Sequence, residues 1–311
     1  MAIVKIFMHI NKAYKDVQSA LKKVLGEKYS WYGNGFFRPG PAPKFKDIEV
    51  IALSLTAEYL SIDSEADLFK QLEALKERYF PNLICRRQYH DRRKKLKAKI
   101  EELRVTLSEA FPIPENIFIV DSTPAPVCRV ARGPRNKIGK KGDKGIIPWT
   151  GYCAAQQERY FGYKLHAISS TEGIIRDYQL TPANYDDRKY LKQDRVCQKF
   201  SNTTLVGDMG YLDKELKPKL LQDFQIDLQH PYRKNMKGMP PLDKSLAYKR
   251  KKIETIFSQL KYIFRIKHNL TKSYLGFTTR MISKLCSLNL FQYINKFIKN
   301  KSIGNIKNTH Y

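Results

Sequence analysis

The sequence predicts a mixed α/β domain preceded by an all-helical region, because its hydrophobic pattern changes once along the chain. Before about residue 112, apolar residues recur at the three- and four-residue spacing of amphipathic helices. From residue 116 onward, short runs rich in β-branched residues alternate with turn residues, which is typical of strands. Strands with helical segments between them favour a mixed sheet covered by flanking helices.

Three stripes of helical spacing predict the N-terminal helices. They cover residues 48–59, residues 63–80 up to the stop at Pro81, and residues 96–107. Between residues 86 and 99 lie eight Lys or Arg residues, which include Arg92 and Arg93. We interpret this run as a helix laid against DNA phosphates, positioning the protein without reading bases. The alternative is a solvated helix face.

The second region predicts strands and two helices in a definite order. Helical spacing is expected over residues 186–199 and, very regularly, over 253–264. The strands are predicted at residues 116–121, 160–169, 174–180, 203–207 and 226–230.

Composition narrows the class of protein. The chain of 311 residues has 57 Lys and Arg against 30 Asp and Glu, a net charge of +27. A field of this sign concentrates polyanions, and nucleic acid is the commonest of them, although another acidic partner is an alternative. The five cysteines include no Cys-x-x-Cys pair, which argues against a disulfide framework and a zinc ribbon and favours a reducing, cytoplasmic setting. The longest uncharged apolar run, residues 50–57, is too short to span a bilayer.

Three carboxylates stand out as candidate catalytic residues. Asp121 ends the predicted strand 116–121, and Asp208 follows the apolar run 203–207 between two glycines. Glu254 lies beside the apolar stripe of its predicted helix, on the same face as Arg250 and Lys261. Each has a structural alternative: a turn or N-cap aspartate, a glycine-rich turn, and an Arg250–Glu254 surface pair.

Taken together, the three acids predict a site for divalent metal. Carboxylate oxygens are hard ligands that suit Mg²⁺ or Mn²⁺. Two such ions would activate a nucleophile and stabilise the leaving oxygen during attack on a phosphodiester. A strongly basic chain with one acidic trio therefore indicates cleavage or joining of DNA.

These residues resemble a known family of enzymes. Asp121, Asp208 and Glu254, spaced by 87 and 46 residues, resemble the acids of DDE transposases with a ribonuclease-H-like core. Arg250, Glu254 and Lys261 are also similar to the tyrosine-arginine-glutamate-lysine signature of insertion-sequence enzymes, with the tyrosine displaced to Tyr248. The resemblance narrows to insertion sequence family 982. The stretches that carry it are residues 121–128, 160–166, 181–186, 207–211 and 253–260.

The resemblance implies a function and a set of partners. It implies a ribonuclease-H-like fold, metal-dependent cleavage and strand transfer at the terminal inverted repeats of an insertion sequence, and a homodimer on paired ends. Double-stranded DNA, both the element ends and the target, is the expected partner, and a nucleoid-associated cytoplasmic location follows. A nuclease of the same fold that cuts without joining, and a catalytically inactive DNA-binding module, remain alternatives.

Further cations are predicted to contact DNA near the acids. Residues 129–144 carry seven Lys or Arg, including Lys140 and Lys141, and are interpreted as a loop that orders on DNA, with a disordered loop as the alternative. Lys164 and His166 share one face of the strand 160–169 and are predicted near the site. A hydrogen-bonded core histidine is an equal alternative for His166.

The sequence thus predicts three regions: a helical DNA-binding region at 1–112, a catalytic domain at 116–296, and a basic tail at 297–311.

Overall fold

The computed structural model describes residues 2–31, 41–140, 142–232, 236 and 241–306. The helices are α1 (Ala2–Leu25), α2 (Lys28–Trp31), α3 (Asp47–Tyr59), α4 (Glu65–Glu73), α5 (Lys76–Tyr79), α6 (Arg86–Lys95), α7 (Lys97–Glu109), α8 (Asp187–Leu191), α9 (Asp194–Lys199), α10 (Leu216–Phe224), α11 (Lys244–Tyr262) and α12 (Tyr274–Tyr293). The strands are β1 (Ile117–Cys128), β2 (Trp149–Cys153), β3 (Glu158–Ser170), β4 (Ile175–Pro182), β5 (Thr204–Val206) and β6 (Asp227–Gln229).

The chain divides into two compact units. Residues 1–111 and 259–311 form the first, called here the helical unit, and residues 112–258 form the second, the sheet unit. α12 lies in the helical unit, where it packs on α3 and α7. α12 is buried along nearly its whole length, so it forms part of the helical unit's core.

The helical unit is built around α3, which is buried on almost every side. α1, α6 and α12 pack against it. The predicted helix over 63–80 is two helices, α4 and α5, with a break at residues 74 and 75. Ser64 begins α4 by accepting a hydrogen bond from the Asp67 N–H at 2.9 Å.

The sheet unit is a mixed α/β layer. Among the described residues, six strands form one sheet in the order β2–β3–β1–β5–β6, and β4 pairs with β3 beyond the end of β2. β3 runs antiparallel to β1, β2 and β4, whereas β1, β5 and β6 are parallel to one another. Val120, Ile168 and Leu205 lie in one buried cluster with side chains of α8, α9 and α10. This arrangement matches the predicted class of a mixed sheet with flanking helices.

Two strands differ from the sequence-based expectation. β1 continues past Asp121 to Cys128, so Asp121 lies in mid-strand instead of ending it. Pro124 and Pro126 are tolerated there because β5 pairs β1 only at residues 117–119, which leaves an edge where a missing N–H costs no ladder bond. β2 was not predicted, because most of its side chains are exposed and give no alternating apolar pattern.

Candidate active site

The parallel pairing of β1 and β5 brings the two candidate aspartates to one place. Ile119 pairs with Val206, so Asp121 and Asp208 each stand two residues beyond the last paired position. Since parallel strands point the same way, both carboxylates emerge at the same edge. Asp121 is half-buried, and its Oδ1 accepts a hydrogen bond from the Ser122 N–H at 2.7 Å.

Asp208 begins a short 3₁₀ turn after β5. Its Oδ1 accepts a hydrogen bond from the Gly210 N–H at 2.8 Å, so it does cap a turn, as the structural alternative has it. The two flanking glycines permit this tight packing. A Cβ on Gly207 would stand 2.7 Å from the Tyr211 ring, and one on Gly210 would stand 2.9 Å from the Asp208 carboxylate.

The two carboxylates disfavour each other's ionisation. Burial and the neighbouring charge of Asp208 raise the pKa of Asp121 to about 7, although Arg250 acts in the opposite direction. Burial also raises the pKa of Asp208, and the charge of Asp187 adds to that effect. Like charges held together in this way are costly without a cation between them.

A fourth acid, Asp187, stands beside this pair and was missed by the sequence reasoning. It is the first residue of α8, and its Oδ1 lies 3.2 Å from the Lys164 Nζ and 3.4 Å from the His166 Nδ1. The stretch 181–186 was noted for its resemblance, but the acid one residue later was not. Its only sequence signal is a second consecutive aspartate, which is common at a helix start.

Glu254 and Arg250 form the surface pair that the structural alternative predicted. The Arg250 Nη2 lies 3.2 Å from the Glu254 Oε1, and the Glu254 side chain is 54% exposed. Arg250, which also lies on α11, lowers the pKa of both Asp121 and Asp208. Tyr248 is 76% exposed. Within the part of the chain that the structure describes, no three acid, His or Cys side chains are grouped closely enough to hold one metal ion.

Arg92 and Arg93 both pair with carboxylates inside the helical unit. Arg92 bonds to the buried Asp47 and to the Phe45 carbonyl, and Arg93 reaches Glu58 at 2.7 Å. The Arg93 side chain is only 6% exposed. A guanidinium already neutralised by an internal carboxylate has little left to offer a phosphate. Both guanidinium groups therefore lie in internal ion pairs, and a phosphate contact by either one stays a prediction.

Lys164 and His166 both lie near the acids, but only Lys164 reaches solvent. The Lys164 Nζ donates to the Tyr185 carbonyl at 2.9 Å and lies beside Asp187, with the side chain 15% exposed. His166 is fully buried, stacks on Tyr190 and has a pKa lowered by burial to about 4, so it is neutral. These contacts fit the alternative of a hydrogen-bonded core histidine, and a phosphate contact by His166 stays a prediction.

The remaining predicted DNA contacts are Lys140, Lys141 and Lys261. Lys140 is half-buried, and its Nζ donates to the Pro134 carbonyl at 3.1 Å. Lys261 lies near the end of α11, with its Nζ 4.9 Å from the centre of the Tyr262 ring. Lys141 and the tail residues 307–311 lie outside the described residues.

The fold and the site together define a mixed α/β domain that places Asp121 and Asp208 just beyond the paired residues of β1 and β5, close to cations. The family model described as "Transposase DDE domain" matches residues 112–274, just over half of the chain. The chain therefore belongs to the DDE transposase domain family, and the matched segment contains Asp121, Asp208 and Glu254.

The other comparisons add no relative, since no curated protein and no solved structure matches the chain. Among the described helices, none combines the length and the apolar character that a membrane crossing requires.

Proposed function

We propose that this protein is a transposase of an insertion sequence resembling family 982, which cuts DNA at the element's terminal inverted repeats and joins the ends to target DNA. The observation that carries the proposal is the placement of Asp121 and Asp208 beyond the paired ends of β1 and β5. We propose a ribonuclease-H-like core, and the mixed sheet with flanking helices supports this proposal.

The residues at the site fit a divalent metal. Asp121 and Asp208 present hard oxygen donors, and burial raises the pKa of both, so a bound cation would favour their ionised forms. Asp121 and Asp208 would hold two Mg²⁺ or Mn²⁺ ions, with Glu254 as the third catalytic carboxylate. When bound, such ions lower the pKa of a water or 3′-hydroxyl nucleophile and offset charge on the leaving oxygen.

The chain's own side chains would place the DNA backbone. Arg250 lies close enough to lower the pKa of both aspartates, and Lys164 does the same for Asp208. Both cations can therefore attract a phosphate toward the acids. In the structure Arg250 is paired with Glu254, so a phosphate that takes up Arg250 would free Glu254 to turn toward the metals.

An open cavity of about 360 Å³ lies beside Lys164 on the sheet unit. Arg159, Lys164 and Tyr152 line it together with other residues of β2 and the two residues that follow β4, and Tyr152 is 59% exposed. Cations next to an exposed aromatic ring suit a nucleic acid strand, because they contact phosphate and base in turn. We propose that this cavity receives DNA next to the site.

The proposal assigns roles to the rest of the chain. Residues 1–112 would recognise the element ends, and the net charge of +27 would supply phosphate contacts to ends and target. Lys140, Lys141 and Lys261 are proposed among those contacts. A homodimer on paired ends in the bacterial cytoplasm completes the proposal.

The test uses purified full-length protein and a DNA fragment that carries both ends of the element. With Mg²⁺ or Mn²⁺, we expect cleavage at the terminal repeats and transfer of pre-cleaved ends to a plasmid. Ca²⁺ should support binding but not cutting, because its looser coordination misplaces the reacting oxygens.

The outcomes separate the rival functions. Cleavage without transfer of pre-cleaved ends would favour a nuclease of the same fold. DNA binding with no metal-dependent cleavage would favour an inactive DNA-binding module. Full cleavage in a chelator would contradict the metal mechanism.

A further inference from the structure

We propose that Asp187 is a fourth acid of the active site, facing the bound divalent metal beside Asp208. The inference rests on the proposed function, since it adds a residue to that same site. Nothing in the DDE pattern of Asp121, Asp208 and Glu254 includes it.

Two cationic or polar side chains of β3 hold the Asp187 carboxylate in a fixed orientation. The Lys164 Nζ lies 3.2 Å from its Oδ1 and 3.3 Å from its Oδ2. His166 presents its Nδ1 at 3.4 Å from Oδ1. The side chain is 24% exposed, so the carboxylate is partly desolvated yet reachable.

The second oxygen of Asp187 points toward Asp208. A Cβ built on Gly210 would stand 2.9 Å from the Asp208 Oδ1 and 3.7 Å from the Asp187 Oδ2. Both carboxylates therefore border the same small space above Gly210. The charge of Asp187 also acts on Asp121 and Asp208, where it opposes their ionisation.

An independent observation is a buried polar nitrogen that makes no hydrogen bond and is aimed at this acid. The His166 Nδ1 is fully buried, has no hydrogen-bond partner, and is directed at the Asp187 carboxylate. Its Nε2 is already engaged by the Thr181 hydroxyl at 2.9 Å. A carboxylate that binds a metal ion is commonly held in orientation by a neighbouring polar side chain, as His166 could do here.

Helix formation does not account for Asp187. Asp186, one residue earlier, is the N-cap of α8 and accepts a hydrogen bond from the Arg188 N–H at 3.0 Å. Asp186 also pairs with the Arg188 guanidinium at 2.5 Å. The two adjacent aspartates thus divide their tasks, and Asp186 provides a matched control for a test of Asp187.

The experiment measures Mn²⁺ binding to the full chain without DNA, by calorimetry or by the paramagnetic signal of free Mn²⁺. The Asp187→Asn variant should weaken Mn²⁺ binding about 10- to 100-fold. The Asp186→Asn variant should stay within about twofold of the unmodified protein, because the charge of Asp186 is already paired with Arg188. Circular dichroism checks that each variant is folded.

A second variant separates a metal-facing acid from a mere anchor for Lys164. Lys164→Met removes a cation that also acts on Asp208, so this variant should bind Mn²⁺ more tightly whatever the role of Asp187. Adding Asp187→Asn to Lys164→Met should then weaken Mn²⁺ binding about 10-fold or more if Asp187 faces the metal, and should leave it unchanged if Asp187 only holds Lys164. Because the double variant leaves no unpaired Lys164 charge, it tests Asp187 even if the single Asp187→Asn variant fails to fold.

Failure of this inference differs from failure of the proposed function. If Asp121→Asn and Asp208→Asn lose Mn²⁺ binding while Asp187→Asn keeps it, only the assignment of Asp187 is overturned. If all three variants bind Mn²⁺ as the unmodified protein does, or if that protein binds none, the metal site and this inference fall together.

Discussion

The helical unit and the sheet unit each bury carboxylates, but the side chains around them carry opposite charges. In the helical unit Glu58 is only 1% exposed and touches Arg93 at 2.7 Å, Arg280 at 3.1 Å and Lys284 at 2.6 Å. In the sheet unit Asp121 faces Asp208 and Asp187, with Arg250 as the nearby cation. One acid is surrounded by cations and the other by acids.

The pKa values record the difference. Burial alone would raise the pKa of Glu58, but Arg280, Lys284 and Arg93 together outweigh it and hold the pKa at about 2. Burial and Asp208 raise the pKa of Asp121 to about 7. The charge of Glu58 is balanced by cations of the protein itself, whereas Asp121 has acids as well as Arg250 acting on it. A balanced charge serves the fold, and a group of acids with raised pKa is typical of a site that binds a ligand.

The largest expected effect on the free energy of unfolding comes from Glu58→Gln. The substitution leaves the positive charges of Arg93, Arg280 and Lys284 buried without their shared counter-charge, which costs roughly 3–5 kcal/mol. Chemical denaturation measures the loss. The control Glu73→Gln, on the exposed side of α4, should change stability by no more than about 0.5 kcal/mol. Equal stabilities for the two variants would contradict the claim that Glu58 stabilises the helical unit.

A change of pH is expected to have an intermediate effect on stability, with opposite signs in the two units. Glu58 has a folded pKa of about 2, below its ordinary 4.5, so its stabilisation is present above about 4.5 and is lost as pH falls toward 2. Asp121 has a folded pKa of about 7, above its ordinary 3.8, so the sheet unit loses stability as pH rises from about 4 to 7. The rate of amide hydrogen exchange in α3 measures the stability of the helical unit, and the rate in β1 measures that of the sheet unit. Parallel pH responses of α3 and β1 would contradict the contrast.

A small effect on stability, but a large one on activity, is expected from Glu254→Gln. Glu254 is 54% exposed, so the loss of its pair with Arg250 should change stability by no more than about 0.5 kcal/mol. Cleavage should fall by orders of magnitude if it is the third catalytic carboxylate. Glu215→Gln, at the exposed start of α10, is the matched control and should cut normally. The reverse result would exchange the two residues' roles.

Sequence reasoning anticipated the parts of the site that strand order determines. Asp121 and Asp208 come together because each follows an apolar segment that becomes a parallel strand, and that pattern is visible in the residues. The surface pair of Arg250 and Glu254 follows from helical spacing alone.

The parts that were not anticipated depend on tertiary packing. Arg93 belongs to a basic run like any DNA-binding helix, and only the position of Glu58 on α3 shows that it is buried. Asp187 owes its place to the return of β4 alongside β3, which sets α8 next to Lys164. β2 pairs through its backbone with exposed side chains, so no hydrophobic pattern marks it.

The most direct test of the central claim, that the acids of the sheet unit are held together for a metal ion, is the unfolding free energy of Asp121→Asn with and without Mn²⁺. Without metal, the variant should be at least as stable as the unmodified protein, because it removes a charge that Asp208 and Asp187 repel. The unmodified protein should gain about 2.7 kcal/mol at Mn²⁺ about 100-fold above its Kd, and the variant much less. A variant less stable than the unmodified protein, together with equal effects of Mn²⁺ on both, would contradict the account.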